Sequence, residues 1–184
     1  MARVIVGMTM SLDGFVNDRN GEVASLYPDL ATLPNEEPLR EQIDNTGAVV
    51  MGRKAYAMAE DPDWVVGYEY QVPIFVVTDQ MPQKHPRETA ELTFTFVTDG
   101  FESAIRQAKG AAGKKDVNII GSAGTTQSCL KTRLVDELDV GIIPVFLHNG
   151  FRPFEGLDAA QTRLERTKVL ELPCGRTHMR FSVT

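Results

Sequence analysis

Four short segments hold most of the residues able to do chemistry. They are Met10-Ser11-Leu12-Asp13-Gly14, Met51-Gly52-Arg53-Lys54, Val76-Val77-Thr78 and Gly121-Ser122-Ala123-Gly124-Thr125-Thr126. Each follows an apolar, β-branched run, and the second and fourth lead into a helical pattern. In open α/β sheets, ligands bind beyond the carboxyl ends of strands, where loops and helix N-termini converge. The fourth segment is a small-residue loop opening a helix, whose first N–H groups are unpaired and carry about half a positive charge. Such a loop admits a pyrophosphate close to the backbone. Thr125 and Thr126 either cap the helix or donate to phosphate oxygens. A plain strand-to-helix turn would use the same residues.

In the second segment Gly52 permits close backbone approach. Arg53 and Lys54 put cations at the wrong end of a helix, which is reasonable if an anion sits there. An NADP 2′-phosphate suits a bidentate guanidinium, and a solvated cation pair is the bland alternative. Thr78 is placed to reach a ribose or phosphate. Asp79, which follows it, suits a ribose hydroxyl and repels a 2′-phosphate. Two acids stand in the loop after the first strand. Asp13 reads as a buried acid or an Asp-Gly turn residue, and Asp29 as an acid over the site or a turn residue. Trp64 and Tyr68 offer flat rings for stacking or for packing.

The elements that must position these residues follow from periodicity. Strands are expected at Val4–Met10, Ala48–Met51, Pro73–Thr78, Thr93–Thr98, Val117–Ile120 and Glu137–Pro144. Two more are expected at Arg163–Leu172 and His178–Val183, joined by Pro173-Cys174-Gly175-Arg176. Helices are expected at Glu36–Asn45, Arg53–Glu60, Phe101–Gly110 and Thr125–Arg133, the third closed by Gly110 or Gly113. Ser11–Pro34 is a long Gly-, Asn-, Asp- and Pro-rich connection, of a length that is often functional. Strands alternating with helices predict a mostly parallel sheet, and the short final turn predicts an antiparallel terminal pair. Asp136 and Glu137 read as acids capping a loop, with no chemistry assigned.

With 184 residues, 42% of them hydrophobic, the chain reads as one α/β domain over residues 1–184. A net charge of -6 argues against a nucleic-acid partner, which needs a basic footprint. No apolar run approaches a membrane span, and the amino terminus reads as a strand, not a signal peptide. Cys129 and Cys174 lack metal or redox spacing and read as free thiols of a cytoplasmic protein. Three scattered histidines give no metal pattern.

Taken in order, Ser11-Leu12-Asp13-Gly14, Val50-Met51-Gly52-Arg53-Lys54, Pro73-Ile74-Phe75-Val76-Val77-Thr78, Gly121 through Leu130, Leu134-Val135-Asp136-Glu137-Leu138 and Ile143-Pro144-Val145-Phe146 resemble the reductase domain of riboflavin biosynthesis. That domain falls within the dihydrofolate-reductase-like superfamily. The resemblance spans about residues 2 to 183. It implies a three-layer αβα fold around a mixed sheet, NADPH binding, hydride transfer to a pyrimidine- or pteridine-like heterocycle, and commonly a homodimer. Met10 would then contact the nicotinamide side, and Gly52, Arg53 and Lys54 the adenosine phosphates. Thr78 would lie by the adenosine ribose, and Gly121, Ser122, Ala123, Gly124, Thr125 and Thr126 would hold the pyrophosphate. Asp29 would be the catalytic acid, with Asp13 the second candidate. The usual Gly-Gly of the pyrophosphate loop reads Gly121-Ser122 here. A lysine often found four residues before the serine of Ser-Leu-Asp-Gly is replaced by Gly7. These departures leave open a second reading, a non-catalytic nucleotide-binding homodimer that keeps the fold.

Overall fold

In the computed structural model, residues 2–57, 67–81, 88–121, 123–157 and 162–184 are described. Eight strands form one sheet: β1 (Val4–Ser11), β2 (Thr46–Gly52), β3 (Ile74–Val77), β4 (Phe94–Val97), β5 (Asp116–Ile120), β6 (Glu137–Ile143), β7 (Leu164–Glu171) and β8 (Thr177–Val183). Their order is β4-β3-β2-β5-β1-β6-β8-β7. The first six run parallel, and β8 lies antiparallel against both β6 and β7. Helices α1 (Glu37–Asn45), α2 (Arg53–Ala57), α3 (Phe101–Ala112) and α4 (Ala123–Lys131) complete the order.

The sheet residues alternate between two cores, as a pleated strand requires. Val4, Val6, Ala48, Val50, Val117 and Ile119 pack under α3 and α4 with Ile105, Ala108, Cys129 and Leu130. Val49, Met51, Ile74, Val76 and Phe94 pack on the other face with Leu39 and Ile43 of α1 and Tyr56 of α2. Burial among these side chains pushes the Cys129 thiol up to about 12.

Several element ends differ from expectation for local reasons. β2 starts at Thr46, two residues early, and its pairing with β5 shifts register between Thr46 and Ala48. Gly47 sits at that shift, where a Cβ would stand 2.8 Å from the Ala112 carbonyl oxygen. α4 starts at Ala123, not Thr125, because Thr125 and Thr126 turn inward and are buried. Gly113, at φ 63, ends α3. The Ser11–Pro34 connection holds two short 3-10 turns, Ala24–Leu26 and Leu33–Asn35. Part of the expected Arg53–Glu60 helix, Trp64 and Ser122 lie outside the described residues.

Candidate active site

The carboxyl ends of the parallel strands converge on one edge. β1 pairs with β5 only from Val4↔Val117 to Val6↔Ile119, yet follows β6 as far as Ser11↔Ile143. β1 and β5 therefore part beyond Val6, which opens a gap between Met10 and Gly121. The gap lies at a place where the chain order reverses across neighbouring strands, the usual location of ligand sites in such sheets.

Two of the expected cofactor segments meet through one side chain. A Cβ on Gly52 would overlap Thr125 Oγ1, and a Cβ on Gly121 would stand 2.7 Å from the same atom. Thr125 thus wedges the end of β2 against the end of β5, and both glycines are there to admit it. Neither Thr125 nor Thr126 caps α4. Both are buried within it, 5% and 3% exposed, so an anion there would meet the first-turn N–H groups.

Beside this junction lies a cavity of about 320 Å³ lined by Arg53, Tyr56, Val76, Thr78, Gln80 and Phe96. Tyr56 meets Phe96 edge to face at 5.4 Å. Thr78 Oγ1 donates to the Gln80 carbonyl at 2.7 Å, which orders the cavity rim. Arg53 forms an ion pair with Asp79 at 3.1 Å, both side chains more than half exposed. Such pairs contribute about 0–1 kcal/mol, so the guanidinium can exchange Asp79 for a phosphate at little cost. Lys54 points elsewhere, its Nζ 5.9 Å from the Phe151 ring. An apolar, aromatic-lined cavity with a cation at its mouth fits an adenosine phosphate, and the first-turn N–H groups of α4 fit a pyrophosphate.

Phe151 belongs to a second wall. The 11–22 and 145–152 segments interlock through Leu12 N–H to Val145 O (3.0 Å), Val16 N–H to Phe151 O (3.0 Å) and Phe151 N–H to Asn17 Oδ1 (3.0 Å). Asp13 is part of this lock. Ser11 Oγ donates to it at 2.6 Å, and the His148 and Leu147 N–H groups at 2.8 and 3.2 Å. Burial opposes ionisation, but these donors outweigh it and bring the Asp13 carboxyl down to about 2. Gly14, at φ 86, completes the turn with its N–H on Ser11 O.

Asp29 is placed differently. It is buried against Arg176, with Arg176 Nε and Nη2 donating to its two oxygens at 2.7 and 2.6 Å. The side chains are 3% and 2% exposed. Arg176 also donates to Thr9 Oγ1 at 3.0 Å and to Leu26 O at 3.3 Å. It lies over Gly141, where a Cβ would stand 2.7 Å from Nη1. The hydrogen bonds from Arg176 hold the Asp29 carboxyl below its ordinary value. Asp29 thus clamps the long loop to β1 and to the turn before β8, and Asp13 locks two loops together.

Polar groups that sequence reasoning passed over line the same face. Gln42 Nε2 donates to Asn118 Oδ1 at 3.0 Å, and Asn118 Nδ2 to Tyr70 Oη at 2.9 Å. A Cβ on Gly7 would stand 3.0 Å from Gln42 Nε2, so this chain fills the space a longer side chain at position 7 would need. On β8, His178 contacts Asp139, and Arg180 donates to Asp139 at 3.1 Å and to Glu41 at 3.4 Å. The available signal was the alternation Arg176-x-His178-x-Arg180, three polar residues on one face of a strand, opposite Asp139 inside an otherwise apolar strand. Asp136 and Glu137 bind the amino terminus, through Val4 N–H at 2.7 Å and Arg3 at 2.6 Å. Among the described residues no three His, Cys, Asp or Glu side chains cluster as metal ligands, and no helix is long and apolar enough to cross a membrane.

An eight-stranded mixed sheet of this order, with helices on both faces and cofactor-type loops at its carboxyl edge, is a dihydrofolate-reductase-like α/β fold. The chain belongs to the RibD C-terminal domain family, whose model matches residues 2–177. It is 24% identical over 160 residues to the uncharacterized protein YyaP of Bacillus subtilis (strain 168), covering 80% of this chain and 78% of that one. Among solved structures, a putative riboflavin biosynthesis protein from Shewanella sp. PV-4 superposes with a TM-score of 0.78 at 23% identity, covering 100% of this chain and 99% of that one. The Thermotoga maritima diaminohydroxyphosphoribosylaminopyrimidine deaminase/5-amino-6-(5-phosphoribosylamino)uracil reductase gives a TM-score of 0.69 at 13% identity, covering 100% of this chain and 57% of that one.

Proposed function

We propose that the protein is an NADPH-dependent reductase of a pyrimidine- or pteridine-like heterocycle or its sugar-amine side chain. The observation that carries this reading is the Thr125 wedge, which holds the Gly52 and Gly121 strand ends together beside the Arg53 cavity. Arg53 and Thr78 would hold the adenosine 2′-phosphate and ribose. Gly121, Ser122, Ala123 and Gly124, with the first N–H groups of α4, would hold the pyrophosphate. The nicotinamide would enter the gap beside Met10, and Lys54, turned toward Phe151, would close the cofactor's outer side. A bound dihydronicotinamide supplies a hydride, and the protein supplies orientation and exclusion of water.

A homodimer accompanies this reading. Phe181 and Val183 are only partly covered; Met179 lies on the same face, and Val169 and Leu164 are 44% and 45% exposed on the adjoining β7. An apolar sheet face of that kind suits a second copy of the chain.

Anaerobic oxidation of NADPH in the presence of 5-amino-6-(5-phosphoribosylamino)uracil or 7,8-dihydrofolate tests the activity, with NADH as control. Arg53→Ala should weaken NADPH much more than NADH, by about 1.5–3 kcal/mol for a lost charged hydrogen bond. One observation favours the second reading, a non-catalytic nucleotide-binding homodimer: Gln42 fills the space that a longer side chain at position 7 would need. Tight NADPH binding with no oxidation against either probe would support it.

A further inference from the structure

Arg53 follows β2 and Asp79 stands two residues past β3. These strands pair side by side up to Gly52↔Val77, so their register brings the two side chains together at the carboxyl edge. Arg53 Nη1 donates to Asp79 Oδ1 at 3.1 Å. Thr78, itself buried, fixes the turn that carries Asp79. Its Oγ1 donates to Gln80 O at 2.7 Å and accepts from Gln80 N–H at 3.2 Å. The backbone at position 79 is therefore held, while the carboxylate reaches outward with its side chain 76% exposed. Among the described residues Arg53 is its one side-chain partner. Arg53 is in turn the only charged side chain among the described residues lining the adjoining cavity.

We propose that Asp79 sets the balance between the two nicotinamide dinucleotides: its carboxylate already occupies the Arg53 guanidinium that a 2′-phosphate would take, so the phosphorylated cofactor has to displace it. This deepens the reductase reading above and rests on it. A phosphate monoester carries about −1.5 to −2 charge at neutral pH. Arg53 and Asp79 together offer it no net charge, whereas Arg53 alone would offer one positive charge. An unphosphorylated ribose has the opposite need. Its 2′-hydroxyl can donate to the Asp79 carboxylate, an acceptor only, and leave the ion pair in place. One carboxylate thus opposes NADPH and serves NADH. Arg53 draws selectivity toward the phosphorylated cofactor, and Asp79 holds it below what Arg53 alone would give.

The size of the effect follows from its setting. Two anions competing for one guanidinium across water repel by an amount equal to about 5–10-fold in affinity at low ionic strength. Both side chains are more than half exposed, so salt reaches them. The screening length falls from about 10 Å at 0.1 M to about 3 Å at 1 M, and the effect of Asp79 must fade over that range.

Dissociation constants of NADPH and NADH, measured on the intact protein and on Asp79→Asn, test this. The substitution keeps the size of the side chain and removes its charge. At about 20 mM salt, Asp79→Asn should bind NADPH about 5–10-fold more tightly, with NADH unchanged or weaker. In about 1 M salt the NADPH gain should fall below about 2-fold, a dependence that an altered loop shape would not show. The melting temperature without cofactor should stay the same, because an exposed pair contributes little to stability; this also shows that the variant folds. NADPH affinity that is unchanged or lower in Asp79→Asn overturns the assignment. So does equal tightening of both cofactors, or a gain that persists undiminished in 1 M salt. These outcomes leave the reductase reading standing, since NADPH still binds the unaltered protein. Failure of the unaltered protein to bind NADPH removes that reading, and the role of Asp79 with it.

Discussion

Replacing Arg176 by Met leaves the Asp29 carboxylate buried without its partner, and breaking a buried pair in this way costs about 3–5 kcal/mol. Urea unfolding should show that loss for Arg176→Met. Arg176→Met combined with Asp29→Leu should recover much of it, because no uncompensated charge remains. A double variant as unstable as the single one would mean that the Thr9 and Leu26 contacts of Arg176 matter more than its ion pair. The two carboxylates also set the acid limit of the fold. Each has a folded value below its ordinary one, so its contribution is complete above the ordinary carboxylate range and is lost as pH falls. For Asp13 the window runs from the usual 3.8 down to about 2. Asp13→Asn should flatten acid unfolding across that window, as followed by circular dichroism, and an unaltered acid transition would show that its loop lock contributes nothing. Asp13 and Asp29 were legible in the sequence as acids at the site. Their partners were not, because Asp29 meets Arg176, 147 positions away, and Asp13 meets backbone donors from the 147–148 segment.

At the scale of elements, the ends of β2 and β5 are coupled through Thr125. Gly52→Ala and Gly121→Ala each drive a methyl group into that side chain, and overpacking of this kind costs about 1–3 kcal/mol. Both should also weaken NADPH, since the two loops move apart. Thr125→Ala added to Gly52→Ala opens the space again and should restore much of the stability in a thermal melt. No recovery would show that the strand ends are held by other contacts. The segments themselves were readable as strand ends followed by small residues. Their meeting was not, because β2 and β5 are neighbours only through the sheet order, which a crossover fixes and local periodicity does not. The same limit explains the terminal strands. Their antiparallel pairing followed from a short turn, whereas the facing of Arg176, His178 and Arg180 toward α1 required knowing which side of β8 is covered.

For the whole molecule, the alternation of β-branched runs with helical patterns was enough to foresee a mostly parallel sheet, the family resemblance implied the three layers, and the mixed sheet of eight strands with helices on both faces bears this out. The partly bare apolar face of β8 and β7 carries the homodimer proposal. Phe181→Glu should reduce the mass measured by light scattering to that of one chain, and a single-chain mass in the unaltered protein would remove the dimer.

The central claim is that the carboxyl edge of this sheet binds a phosphorylated nicotinamide cofactor. The most direct measurement is a thermal-shift titration of the purified protein with NADPH and, separately, NADH. A ligand at 100 times its dissociation constant stabilises the fold by about 2.7 kcal/mol, which is readily seen. The account predicts a saturable shift with NADPH at concentrations where NADH gives little. No shift with either cofactor, at any concentration that a working reductase would use, would contradict it.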